Sequence, residues 1–234
     1  MKYLFENWRN YVTEEEPPAT RLKAFVLVGP PSVGKSTWIK DTFKGEKPYT
    51  INRDDLVEKV ASSYGWTYDD MFASPPQDAQ EGDTDEKYGT VAKSPPWMKW
   101  APFVFDKVLE ANNKVQKLHA AKTQGAASSG KDIVVDMTNM NAAARSQALK
   151  ALEGAKNDYE KIAVVFEFEG AQDFIKKVAA KRAAAAERMG KSKTIPPEAF
   201  DRMFGSFERV DPAEGFDNVV SVDNRELMQK LANS

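Results

Sequence analysis

The chain of 234 residues contains no cysteine and a single histidine, His119. Without cysteine there is no disulfide, no thiolate nucleophile, no iron–sulfur cluster and no cysteine-containing zinc site. A lone histidine on what reads as a surface helix excludes a two-histidine metal site and leaves the common hydrolytic chemistries without their usual groups. Long apolar runs are missing too. Nothing approaches the roughly 18 to 20 consecutive apolar residues of a membrane span, and the charged start from Met1 to Arg9 has no signal-peptide core. A soluble cytoplasmic protein with no membrane partner is the expectation. Charge of one sign is also lacking, with 33 Lys+Arg against 35 Asp+Glu, a formal charge of −2 and a pI of about 5.7. Proteins that hold polyanions by bulk electrostatics carry a strong basic excess, so a nucleic-acid partner here would have to meet clustered cations.

What is present is an alternation of apolar strands and helical stretches. Leu4, Trp8 and Tyr11 lie at helical spacing before Glu14-Glu15-Glu16-Pro17-Pro18, which predicts a short docking helix and linker over residues 1–20. Strands are expected at 23–29, 49–52, 132–136, 162–168 and 218–222. Helices are expected at 34–43, 54–64, 102–121, 142–152, 171–189, 197–207 and 225–232. Between Ala73 and Pro96 the pattern breaks: residues 74–90 hold five acidic groups against one lysine among several prolines and glycines. Residues 73–97 therefore read as an exposed, mobile acidic insert. The alternation predicts an α/β fold, a mostly parallel sheet covered on both faces, spanning residues 21–234.

Gly29-Pro30-Pro31-Ser32-Val33-Gly34-Lys35-Ser36-Thr37 has the spacing Gly-x4-Gly-Lys-Ser and lies between a buried strand and a helix, where a phosphate loop belongs. Backbone N–H groups of the loop and of the helix N-terminus would converge on phosphates, and glycines permit the close approach. Lys35 would bridge the β- and γ-phosphates, Ser36 would ligate Mg²⁺, and Thr37 could face the α-phosphate. ATP and Mg²⁺ are the cofactors this predicts.

A phosphate loop specifies a nucleotide but not a reaction. In open α/β sheets, ligand groups lie beyond the carboxyl ends of the strands, and two polar clusters fall there. Asn52-Arg53-Asp54-Asp55 places a carboxylate where it could take a proton from an acceptor hydroxyl. Asp54 is favoured as base, with Asp55 or Asn52 as helix cap. Asp136-Met137-Thr138-Asn139 closes the third buried strand and suits an outer-shell metal ligand, a group orienting the acceptor, or a turn with helix caps.

With these residues in view, the chain resembles the phage-type polynucleotide 5′-hydroxyl kinases, a branch of the P-loop kinases related to the adenylate-kinase group. The matching elements are Gly29 to Trp38, Ile51 to Asp55, Asp136 to Asn141 and the basic helix leading to Thr194-Ile195-Pro196. They occur in the family's order over residues 23–206. The resemblance implies a P-loop kinase three-layer sandwich with a helical lid over 171–196 and nucleic-acid ends, DNA or RNA, as substrate. It assigns Asp54 as the base, Lys35 and Ser36 as phosphate and metal contacts, and lid arginines, here Arg182 and Arg188, to the transferred phosphoryl group. Arg53, Asp136, Thr138 and Asn139 are the expected acceptor-side contacts, and Asp223 after the last strand is expected near the adenine. Two departures stand out: Val57 occupies the place of the family's substrate-phosphate arginine, and two extra residues separate the lid arginines.

Residues 176–193 carry a charge of +6, leaving −8 on the other 216 residues. On a helix, Arg182 would point about 120° away from Arg188, so a rigid helix cannot aim both at one phosphate. Arg188 is favoured because Gly190 lets the chain turn beyond it. Trp66, Phe72, Trp97 and Trp100 border the insert and could stack on bases; Arg145, Arg53 and Lys93 are possible backbone contacts.

Overall fold

A computed structural model describes residues 21–96, 101–150, 152–153, 159–188 and 194–233. The expected N-terminal helix, Trp97, Trp100 and Gly190 lie outside these residues.

Five strands form one sheet in the order β2-β6-β1-β7-β8, with every neighbouring pair parallel. They are β1 (Lys23–Val28), β2 (Tyr49–Ile51), β6 (Ile133–Val135), β7 (Glu160–Glu167) and β8 (Asn218–Asp223). β1 is central because its run Lys-Ala-Phe-Val-Leu-Val is apolar on both faces. Phe25 and Leu27 point into one cluster with Ile162, Val164 and Phe166, while Ala24 and Val26 point into another with Ile133, Val135 and Ala163. The period-2 alternation of a strand thus feeds two cores at once. Helices α1 (Lys35–Phe43), α5 (Gln172–Glu187), α6 (Pro197–Gly205) and α7 (Arg225–Asn233) supply Phe43, Ile175, Phe200 and Met228 to the first core. The end of α3 (Asp106–Ala126) and α4 (Ala142–Lys150) cover the second with Ala126, Ala148 and Leu149. The result is the expected three-layer α/β sandwich.

A third core lies beside the sheet. Helix α2 (Arg53–Ser63), α3 and the 3₁₀ turn Asp69–Phe72 enclose Leu56, Val57, Val60, Met71, Val108 and Val115. Here the sequence expectation needs correction. Residues 73–97, read as an exposed, mobile insert, are largely exposed over 74–87 but contribute β3 (Thr84–Asp85) and β4 (Gly89–Lys93), and β4 pairs antiparallel with both β3 and β5 (Phe103–Phe105). The pairing also takes the residues expected to open the long helix, which starts at Asp106 instead of residue 102. Val91, Val104 and Phe105 seal this small sheet onto the third core, and Tyr88 stacks on Phe105 with ring centroids 5.4 Å apart. Alternation over so few residues, interrupted by turns, is too short to register as strand periodicity. Among the described residues no helix is long and apolar enough to cross a membrane.

Candidate active site

The phosphate loop leaves β1 at Gly29 and enters α1 at Lys35. Gly29 has φ +154°, and a Cβ there would stand 3.0 Å from the Phe166 Cβ and 3.2 Å from the Val33 Cγ1. Gly34 caps α1 in the left-handed region at φ +100°, where a Cβ would meet the Asn224 Nδ2 at 2.6 Å. Ser32 is also left-handed, at φ +65°. Such alternation turns successive N–H groups into one anion-binding concavity. Pro30 and Pro31 have no N–H, so the donor cradle is narrower than the motif suggests and runs from Ser32 to Ser36. The two prolines shape the loop without donating to it. Ser36 and Thr37 are exposed in the first turn of α1.

The Lys35 ammonium folds back on the loop and donates to the carbonyls of Gly29, at 2.7 Å, and Pro30, at 3.3 Å. Burial lowers its pKa to about 8, against the opposing pull of the Asp136 and Asp54 carboxylates. The charges of both acids predicted from strand ends therefore act on the lysine of the phosphate loop.

Their placement comes from Asn52. At the end of β2 its side-chain oxygen accepts the N–H of Asp54 at 2.9 Å and of Asp55 at 3.4 Å, capping α2. Its Nδ2 donates to the Asp136 Oδ2 at 3.0 Å, joining the ends of β2 and β6. Asn52 is thus the cap, which leaves both aspartate side chains unneeded for that task. Asp54 is partly buried and accepts a hydrogen bond from the Tyr68 hydroxyl at 3.1 Å, whereas Asp55 is exposed. Burial and the Asp54 charge raise the Tyr68 pKa well above its ordinary value, keeping the phenol a donor. Burial also raises the Asp136 pKa, opposed by the Lys35 charge. Arg53 is partly buried on α2 and its charge reaches Tyr68 and His119.

Of the expected acceptor contacts, Asn139 has its side chain engaged elsewhere and Thr138 contributes its backbone carbonyl to the loop. Asn139 is 2 % exposed, left-handed at φ +46°, and donates from Nδ2 to the Leu27 carbonyl at 2.8 Å. The Thr138 carbonyl accepts the Gly29 N–H at 2.9 Å. These residues brace the phosphate loop from behind, and the Asn139 amide points into the protein. Arg145 likewise contacts no backbone of a partner: it is fully buried, with Nε and Nη2 on the Glu214 carboxylate at 2.6 and 2.7 Å and further bonds to the carbonyls of Asn139, Met140, Glu208 and Arg209. Lys93 is paired with Glu81 at 3.5 Å. Val57 is completely buried in the third core, so position 57 faces inward and could not present an arginine to a substrate.

On the lid side, α5 is continuous from Gln172 to Glu187 and Arg188 retains helical dihedrals. The expected divergence of Arg182 and Arg188 is therefore real. Arg182 lines a groove between α5 and α7 with Val178, Lys181, Ala185 and Leu231, while Arg188 is exposed at the helix end. The Thr194 N–H donates to the Asp69 Oδ1 at 3.1 Å. Asp223, expected near the adenine, is engaged by the Arg225 backbone and guanidinium at 2.5 to 3.0 Å. Its neighbour Asn224 touches the loop instead, donating to the Val33 carbonyl at 3.2 Å. Asn224 belongs to the segment 221–225 expected near the adenine, and Tyr68 is the residue beside the site that motif reasoning missed. Asn224 follows a strand end and was within reach of the crevice rule; Tyr68 sits in a turn with no sequence mark.

The oxygens available for a cation, the Ser36 hydroxyl and the Asp136 carboxylate, are hard donors suited to Mg²⁺. Among the described residues no three His, Cys, Asp or Glu side chains cluster as a metal cage. Mg²⁺ bound with a nucleotide takes one or two protein oxygens, phosphates and water, so this sparse donor set fits.

A family model described as AAA domain matches residues 25–210. No curated protein matches the sequence. Among solved structures, the fold is similar to a candidate kinase from Chloroflexus aurantiacus j-10-fl, with a TM-score of 0.52, 11% identity, and 92% of this chain and 94% of that chain covered. It is also similar to a chain of the PezAT chromosomal toxin–antitoxin system of Streptococcus pneumoniae, with a TM-score of 0.53, 11% identity, and 98% and 85% covered. At such identity the likeness concerns the fold.

Proposed function

Since the chain belongs to the AAA domain family, matched over residues 25–210, and has a P-loop kinase fold, we propose that it is an ATP- and Mg²⁺-dependent kinase that phosphorylates a hydroxyl of nucleic acid, the 5′-hydroxyl end of DNA or RNA. The observation that carries this reading is the Asn52 bridge, which caps the helix start at Asp54 and bonds the Asp136 carboxylate, tying both acids to the sheet edge where their charges act on Lys35. A hydrolysing switch needs the phosphate loop; a partly buried carboxylate whose charge reaches Lys35, held by a tyrosine, is the added part a transferase uses.

In the reaction the acceptor oxygen forms a bond to the γ-phosphorus as the bond to the β,γ-bridging oxygen breaks, and ADP leaves with that electron pair. Asp54 takes the acceptor proton and passes it to solvent. Lys35 exchanges the Gly29 and Pro30 carbonyls for phosphate oxygens, and the amides from Ser32 to Ser36 hold the charge in place. Ser36, with Asp136 behind it, would hold the Mg²⁺. When bound, the ion neutralises charge on the β- and γ-phosphates. Arg188, at the free end of α5, is the arginine suited to reach the transferred group.

The complete burial of Val57 favours one second reading. Without a cation at that position the acceptor could be a hydroxymethyl group on a DNA base or a small nucleotide or sugar. Incubation with γ-labelled ATP and, separately, 5′-hydroxyl DNA, 5′-hydroxyl RNA, hydroxymethyl-base DNA and free nucleosides decides. Label on either 5′-hydroxyl end supports the first reading. Label only on the other acceptors selects the second, and ATP consumption without any labelled acceptor rejects both.

A further inference from the structure

We propose that the turn from Thr67 to Phe72 is the acceptor subsite, with Phe72 the stacking face for the terminal nucleobase and Tyr68 a positioning residue for Asp54; this rests on the kinase reading above. Side chains from Thr67 to Met71 are each secured by named contacts. Thr67 and Asp70 bond each other through both backbone and side chain. Tyr68 donates to Asp54, and Asp69 receives the Thr194 N–H. Asp70 accepts from the Lys87 ammonium at 2.7 Å and the Tyr88 hydroxyl at 2.5 Å. Met71 is buried in the third core, and its carbonyl accepts from the Asn112 amide at 2.9 Å.

Phe72 is the exception. It is 51% exposed, and it is the one aromatic among the exposed large hydrophobic residues described. Its ring lies 5.2 Å from that of Tyr68, so the aromatic surface runs from the Asp54 carboxylate outward to solvent. A turn this firmly tied presents the ring at little cost in ordering, and preorganisation of that kind converts contact into affinity.

The exposed ring selects the ligand's face. Asp70 is taken up by Lys87 and Tyr88, Asp69 by the Thr194 N–H, and position 57 is buried and offers no cation. What the turn presents to solvent is an apolar aromatic face, which meets the uncharged π-face of a base and has no donor for a phosphate. Stacking is also tolerant of base identity.

The test compares transfer from γ-labelled ATP to two single-stranded oligonucleotides, identical except that one has an abasic sugar at the 5′-hydroxyl end. The wild-type protein should show a KM about tenfold lower for the base-bearing end. Phe72→Ala should raise that KM to the abasic value, Phe72→Leu should do the same, and Phe72→Trp should restore it, all with an unchanged KM for ATP. Tyr68→Phe should lower kcat about tenfold with the acceptor KM retained, because the ring remains and only the hydrogen bond to Asp54 is lost. Equal KM values for the two oligonucleotides in the wild-type protein, with label on both, overturn the subsite and leave the kinase reading standing. A Tyr68→Phe protein with wild-type kcat overturns the positioning role. Label on neither oligonucleotide rejects the nucleic-acid reading and the subsite with it.

Discussion

In the proposed kinase, the donor and acceptor halves of the site are built by different means. The donor half, from Gly29 to Thr37, stands on the central strand of the parallel sheet, and its loop is braced by Thr138, Asn139 and Asn224 from neighbouring strand ends. The acceptor half stands on its own small core, and its key contact, Tyr68 to Asp54, spans a turn and a helix start. The donor half follows from covalent sequence: one strand, one loop and one helix in direct succession. The acceptor half requires residues 52–72 and 84–115 to fold around one another before any of its side chains is aimed. A motif can therefore announce nucleotide binding, while acceptor choice depends on packing that no short pattern encodes.

If the halves are separable, Asp54→Asn should leave ATP affinity unchanged and reduce transfer by about 10²- to 10⁴-fold, the range for a lost general base. The amide keeps an oxygen for the Tyr68 hydroxyl, so the fold should survive. Isothermal titration with ATP and a labelled-transfer assay check the two parts, and near-normal transfer would shift the base to Asp136. The lid sharpens the comparison because it belongs to neither half. Arg188→Ala should reduce transfer about 10²-fold through lost charge stabilisation, and Arg182→Ala should have little effect; the reverse result in the same assay would exchange their roles.

Gly34→Ala strikes the donor half alone. An L-residue held left-handed costs roughly 1–2 kcal/mol, and the new methyl displaces Asn224 from the Val33 carbonyl. Thermal melts should show that loss, and ATP binding should weaken while the third core stays intact to hydrogen exchange. The smallest effect is one of pH. Lys35 titrates at about 8 in the nucleotide-free protein. Below that value it is cationic and attracts phosphate; above it the neutral amine must first be protonated, so ATP affinity should fall by up to about tenfold per pH unit. An ATP dissociation constant flat from pH 7 to 9.5 would show that the lysine is charged throughout.

Several residues show where sequence reasoning succeeded and why it stopped. Asp54 and Asp136 were legible because strand ends of a parallel sheet share one edge, a consequence of topology that an alternating pattern already implies. Asn52 could be named as one of two caps, and the structure chose it because its amide also reaches Asp136. Arg145 read as a possible contact to a nucleic-acid backbone. Its burial depends on Glu214, 69 residues away, and on a loop that offers carbonyls. Residues 73–97 looked like a mobile insert since their acidic, proline-containing composition masks the strand β4, whose partner is the brief run Phe103–Phe105.

By itself the sequence determined the absence of thiol chemistry, the α/β alternation, the phosphate loop, and the −2 total that hides a segment of +6. Those are properties of composition and of neighbours along the chain, set by local backbone geometry and period. Only the tertiary structure decided that Asp54 is held by Tyr68, that Val57 faces a core, that α5 runs unbroken from Arg182 up to its cap at Arg188, and that Phe72 is left facing water. Each of those depends on which long-range surfaces meet, and packing, unlike a motif, is settled by all the contacting residues at once.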